Sequence, residues 1–147
     1  MRKPWISVTI PANAEYIDIV RLALYGAANK AGFSYEEIED MKVAVSEACN
    51  NAVLYAYDNE QFGMVEVVFE LQKDTICIRI KDSGSSFQYE QTINNTASLH
   101  HKPLREAVSG GLGIFMMHAL MDSVEVRTDI GTEVILTKRM GRKEGMA

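Results

Sequence analysis

The stretch "SEACNNA", residues 46–52, decides the fold, because it sets polar residues into a stretch that otherwise repeats apolar ones at helical spacing. Ile38, Met41, Val45 and Ala48 recur at intervals of three and four, and Ala52 and Tyr55 extend the series. That period predicts a helix with one buried face. Ser34, with Glu37 three residues on, predicts a capping box at its start. Glu47 and Asn51 stand four apart, project together and lie off the apolar stripe. Ser and Asn are mediocre helix formers because their side chains compete for backbone groups. A polar face of this kind either meets solvent or lines a pocket.

Upstream, "WISVTIPA" alternates until Pro11 and reads as a strand. Asn13 is a candidate N-cap for a first helix reaching about Ala31. Ile17, Val20, Leu24 and Ala27 form its apolar face, and Gly32 ends it. Downstream, "MVEVVFEL" and "TICIRIKD" alternate, with Val65, Val67, Phe69 and Leu71 facing one way and Ile76, Ile78 and Ile80 another set. Their short link predicts an antiparallel hairpin. From Ser83 to about Ser109 no period is sustained, and so long a connection within a compact domain is often a functional lid. "GGLGIFMMHALMD" is a glycine-rich turn opening an apolar helix, where Met116, Met117 and Met121 are expected in the core. "SVEVRT" and "TEVILTKR" form a last hairpin around "DIGT". The order β-α-α-β-β-lid-α-β-β predicts an α+β fold. It is a two-layer sandwich, with a mixed, mostly antiparallel sheet and helices on one face. One domain over 1–147 is expected, with a lid at about 83–112.

The formal net charge of −5 over 147 residues disfavours nucleic acid as a direct partner, and the basic tail "KRMGRKEG" is short and interrupted by glutamate. Cys49 and Cys77 lack metal-type spacing and sit in apolar segments, so they are expected as buried, reduced thiols, which fits the cytoplasm. The N-terminus has no secretory pattern, and no apolar run approaches the roughly 18 residues of a membrane span.

Two further segments carry possible chemistry. Asp82 closes an alternating strand, with Gly84 two residues on. A carboxylate there can accept a hydrogen bond from an exocyclic amine such as that of adenine, and glycine lets backbone approach a flat ring. An ordinary Asp-Gly turn is the alternative. "SGGLG", residues 109–113, precedes a helix, where free backbone N–H groups at the positive end of the dipole suit phosphate oxygens. It is neither a Walker A nor a dinucleotide fingerprint. A hinge is the alternative.

In combination these segments say more. A helix with E-x-x-x-N, a hairpin ending D-x-G, a long lid, GGLG opening a helix and "GT" before the last strand occur in that order. The pattern resembles the Bergerat-type ATP-binding fold of the gyrase–chaperone–histidine kinase–mismatch-repair ATPase superfamily. Within it, "IEDMKVAVSEACNNAV", "GGLGIFMMHALMDSVEV" and "GTEVILTK" are similar to the bacterial anti-sigma factors that are serine-protein kinases, most of all the anti-sigma-B kinases of the general stress response. The resemblance spans about residues 6 to 139. It implies ATP and Mg²⁺, with Asn51 coordinating the metal and Glu47 as general base toward an acceptor hydroxyl. It implies that Asp82 takes the adenine amino group, with Gly84 beside the ring and Thr132 joining through water. Gly110, Gly111, Leu112 and Gly113 would form the phosphate cradle and lid hinge, and Arg105 would reach the terminal phosphate. Arg21 matches a partner-contacting position. The implied partners are an alternative sigma factor, an anti-anti-sigma protein as phosphorylation substrate, and a second copy in a homodimer. One departure is Ser86, where the wider family has a second glycine.

Rival readings are a sigma-binding module without kinase activity and a histidine kinase. The latter needs a phosphoacceptor histidine. His100 and His101 are expected as lid polarity, and His118 as a packed residue of the glycine-led helix.

Overall fold

The structure, a computed structural model, describes residues 4–56, 63–82, 111–129 and 131–141. Strand β1 (Trp5–Pro11) leads through a 3-10 turn (Ala14–Tyr16) into α1 (Ile17–Ala31). Asn13 caps that 3-10 turn, its Oδ1 accepting from Glu15 N–H at 3.1 Å, so the α-helix proper starts later than the cap suggests. Gly32 ends α1 at φ +102°, its N–H donating to the Ala28 and Asn29 carbonyls. The left-handed conformation costs glycine nothing.

Helix α2 (Tyr35–Asn51) has the expected capping box: Glu37 N–H donates to Ser34 Oγ at 3.2 Å, and Ser34 N–H to Glu37 Oε1 at 2.8 Å. The α-helix does not run on unchanged past Asn51. At Ala52 it widens into a π turn, Ala52–Ala56, directly after Asn50 and Asn51, whose side chains compete with backbone hydrogen bonding.

Strands β2 (Met64–Gln72) and β3 (Thr75–Asp82) form the hairpin, with Asp74 at φ 61° in its turn. Asp tolerates that region because its short polar side chain bonds locally. Helix α3 (Gly111–Leu120) and strands β4 (Ser123–Asp129) and β5 (Gly131–Arg139) follow. The sheet order is β1-β2-β3-β5-β4, and among the described residues every pairing is antiparallel, so the sheet expected to be mostly antiparallel is uniformly so there.

Register gives each face its chemistry. Val65, Val67 and Phe69 pair with Asp82, Ile80 and Ile78, which pair in turn with Thr132, Val134 and Leu136. The apolar members of these rows are buried, together with Ile38, Met41, Val45 and Ala48 of α2. Met117 and Met121 join this core as expected. His118 does not pack: it is exposed in the last turn of α3, on the same outward side as Phe115. The opposite sheet face is charged, with Arg79 Nε donating to Glu70 Oε1 at 2.9 Å and its Nη1 lying 3.7 Å from Glu133 Oε1.

Candidate nucleotide and phosphoryl-transfer site

On the core face of the sheet the apolar rows end in polarity. Asp82 and Thr132 are direct cross-strand partners on β3 and β5. Both side chains are buried, at 3% and 2% exposure. Side chains so paired stand about 5 Å apart at Cβ. Alternation makes the placement unavoidable: Ile80 and Val134, two residues away on each strand, face the helices, so Asp82 and Thr132 must as well. The end of α2 and its π turn pack on these same two strands.

Asn51 closes α2 there, at 2% exposure. Asn51, Asp82 and Thr132 are the buried polar residues among those described. The Asn51 Nδ2 and Thr132 Oγ1 atoms have no hydrogen-bond partner among the described residues. Leaving such a group unsatisfied costs roughly 1–3 kcal/mol, which a water or a polar ligand at this spot would relieve.

Glu47, one turn before Asn51, meets α3. A Cβ built on Gly113 would lie 2.7 Å from Glu47 Oε2 and 3.4 Å from Glu47 Cβ. The missing side chain at Gly113 leaves room for the carboxylate beside the first turn of α3. The polar stripe of α2 is therefore divided, with Asn51 buried toward the sheet and Glu47 partly exposed against Gly113. Gly111 and Leu112, expected at the end of the lid, form the first turn of α3. Gly84, Ser86, Arg105, Gly110, His100 and His101 lie outside the described residues, as does the lid apart from Gly111 and Leu112.

Arg21 stands on α1 across from α2. Its Nη1 donates to Ser46 Oγ at 3.0 Å, and its Nη2 pairs with Asp18. Ser46 Oγ donates in turn to the Lys42 carbonyl at 2.6 Å. The one signal of this contact in the sequence is Ser46 at a mid-helix position. The resemblance implies Gly113 as a phosphate contact, and the packing of α3 on α2 adds its contact with Glu47.

Mg²⁺ carried on a nucleotide takes one or two protein oxygens and completes its shell with phosphates and waters, and the buried Asn51 carries an Oδ1 that would serve as such a ligand.

Residues 10–138 match the histidine kinase-like ATPase domain family. A serine-protein kinase RsbW from Oceanobacillus iheyensis is 40% identical over 141 residues, covering 95% of this chain and 89% of the relative. The chain belongs to the RsbW family of histidine kinase-like ATPases. Another RsbW serine-protein kinase, from Bacillus cereus, is 39% identical over 140 residues, covering 95% of this chain and 87% of its own. The crystal structure of the RsbU and RsbW domains of a Mycobacterium tuberculosis protein has the same fold, with TM-score 0.69 at 23% identity over 95% of this chain. This chain spans 33% of that longer protein. The ATP-binding α+β fold expected of the RsbW family is thus borne out.

Proposed function

We propose that this chain is an ATP-dependent serine-protein kinase that also sequesters an alternative sigma factor, of the sigma-B type, and phosphorylates the anti-anti-sigma protein that would release it. The observation that carries this reading is the lodging of Glu47 against Gly113, one helical turn from the buried amide of Asn51. The RsbW membership supports it.

Each residue then has a task. Asp82 accepts from the adenine amino group, Gly84 lies beside the ring, and Thr132 Oγ1 gains a partner through water. Gly110, Gly111 and Gly113 offer backbone N–H groups to the phosphates, with Leu112 in the same turn, and Arg105 reaches the terminal phosphate. Asn51 is the protein ligand of nucleotide-borne Mg²⁺, which when bound neutralises phosphate charge. The acceptor serine Oγ forms a bond to the γ-phosphorus as the bond to the β,γ-bridging oxygen breaks. ADP leaves with that electron pair, and Glu47 accepts the serine proton. Such transfers are loose, so Glu47 acts mainly by orienting the hydroxyl and taking the proton late. Arg21 contacts the partner, and two copies of the chain form the working dimer.

Incubation with Mg-ATP and candidate anti-anti-sigma proteins should yield phosphoserine on one of them. ATP hydrolysis without protein labelling defeats the reading. Glu47→Ala should retain nucleotide affinity and lose transfer by about 10²–10⁴-fold, the usual cost of a lost general base. Full transfer by that variant in a radiolabel assay refutes its role.

A further inference from the structure

Helices α1 and α2 pack together through apolar side chains, with a polar interruption at Arg21 and Ser46. On α1, Ile17, Leu24 and Ala28 form one buried line, and Arg21 falls within it, between Ile17 and Leu24. On α2, Ser46 follows the buried Val45 and precedes the buried Cys49 by less than a turn. The pair does little for folding. A guanidinium drawn partly out of water is costly to desolvate. A serine that bonds back to the carbonyl four residues before it, as Ser46 does to Lys42, is a poorer helix residue than alanine. A contact that stabilises so little within a helix seam calls for another use.

We propose that Ser46 is a positioning residue, which holds the Arg21 guanidinium against α2 in the orientation that a protein partner takes up; this rests on the partner contact given to Arg21 above. The hydroxyl is set for that task. Ser46 Oγ donates its hydrogen to the Lys42 carbonyl at 2.6 Å, which leaves its lone pairs to accept from Arg21 Nη1 at 3.0 Å. Bonds chained in this way strengthen one another. Asp18 holds Nη2 from the same helix. The guanidinium is thus held through both Nη nitrogens, by groups on two different helices. Its side chain remains 36% exposed, and Nε–H and the second hydrogen of each Nη group have no partner among the described residues.

Arginine loses much rotamer freedom when it is ordered, and a partner that must order it binds more weakly. With Ser46 in place the ordering is done before the partner arrives. Without it Arg21 keeps Asp18, whose side chain is 71% exposed and stands on Arg21's own helix. Exposed ion pairs of that kind are weak, so Asp18 alone does not fix the guanidinium relative to α2. Immobilising one such side chain on binding lowers affinity by roughly threefold to tenfold. Once bound, the partner itself orders Arg21, so the transfer step does not depend on Ser46.

The test uses the full chain with Mg-ATP and the acceptor protein labelled in the phosphoserine assay. Ser46→Ala should raise KM for that acceptor about fivefold, with kcat and nucleotide affinity unchanged and the melting temperature not lowered. Ser46→Thr, which keeps the hydroxyl, should restore KM. In an Arg21→Ala background Ser46→Ala should change nothing further, because Ser46 acts only through the guanidinium. If Arg21→Ala raises KM and Ser46→Ala does not, this inference alone is overturned. An equal rise from Ser46→Ala with and without Arg21 overturns it too, since Ser46 would then act by another route. An unchanged KM with Arg21→Ala removes the partner contact and this inference with it. Absence of phosphoserine with the unaltered chain defeats the kinase reading and this inference together.

Discussion

A methyl group on Gly113 would meet Glu47 Oε2 at 2.7 Å, but that oxygen is the far end of a flexible side chain. Gly113→Ala should therefore fold well: alanine is preferred over glycine within a helix by about 1 kcal/mol, which offsets the crowding. What the variant should lose is the resting place of the carboxylate, and misplacement of a catalytic group costs about 10²-fold. The expected result is an unchanged or raised melting temperature with transfer reduced about a hundredfold, measured by thermal unfolding and phosphoserine formation. An unaltered transfer rate would remove the contact from the mechanism. Thr132 gives the opposite pattern. Its buried Oγ1 has no partner among the described residues, so Thr132→Val should stabilise the nucleotide-free protein by about 1 kcal/mol. The same change should weaken nucleotide binding, and calorimetry alongside thermal unfolding would measure both. At this scale the resemblance singles out Asn51, Asp82 and Thr132, and the fold buries all three. The meeting of Glu47 with Gly113 was not legible in the sequence, because it depends on how closely two helices approach.

Helix α2 carries the site, and its first turn also holds the end of the sheet. Glu37 Oε2 accepts from Gly141 N–H at 2.6 Å while Oε1 accepts from Ser34 N–H at 2.8 Å. Burial pushes this carboxyl up, but the N–H donors of Ser34 and Gly141, the Ser34 hydroxyl and the Lys138 charge outweigh it and hold it below its ordinary 4.5. A carboxyl with a lowered folded value stabilises the fold above its unfolded value and stops doing so as pH falls through the folded one. Glu37→Gln keeps an acceptor for Ser34 N–H but loses the second carboxylate oxygen that accepts from Gly141 N–H, and should cost roughly 1 kcal/mol at neutral pH, the scale of one lost hydrogen bond. The difference from the unaltered chain should close below pH 4.5. Urea unfolding across pH tests this, and a constant difference would contradict it. Ser34 and Glu37 were readable as a capping box because that device is local in sequence. The tether to Gly141 was not, since nothing in either segment announces the other. The π turn after Asn51 was likewise unreadable, because the apolar stripe continues through it.

In the whole molecule the strands, their alternation and the helices on one face followed from period and turn chemistry, whereas the neighbours of each strand did not. Periodicity says which side of a strand is buried but not that β5 lies between β3 and β4. The two thiols report on the intact assembly. Burial pushes Cys49 up to about 12, only partly countered by the Arg21 charge, and raises Cys77 as well. At pH 8 both should therefore resist a thiol reagent in the folded protein, where Cys77, on the outer sheet face, should react ahead of Cys49, and both should react at once in denaturant. Labelling of Cys49 at the unfolded rate would mean that the layers open far more often than their packing implies. The strand order has a further consequence during synthesis. Asp82 is translated early and Thr132 late, and they become neighbours only when β5 slots between two strands made before it. A nascent chain on the ribosome can thus hold a finished helical layer and still lack the paired Asp82 and Thr132, so on the proposed assignment of those two residues competence for nucleotide arrives with β5.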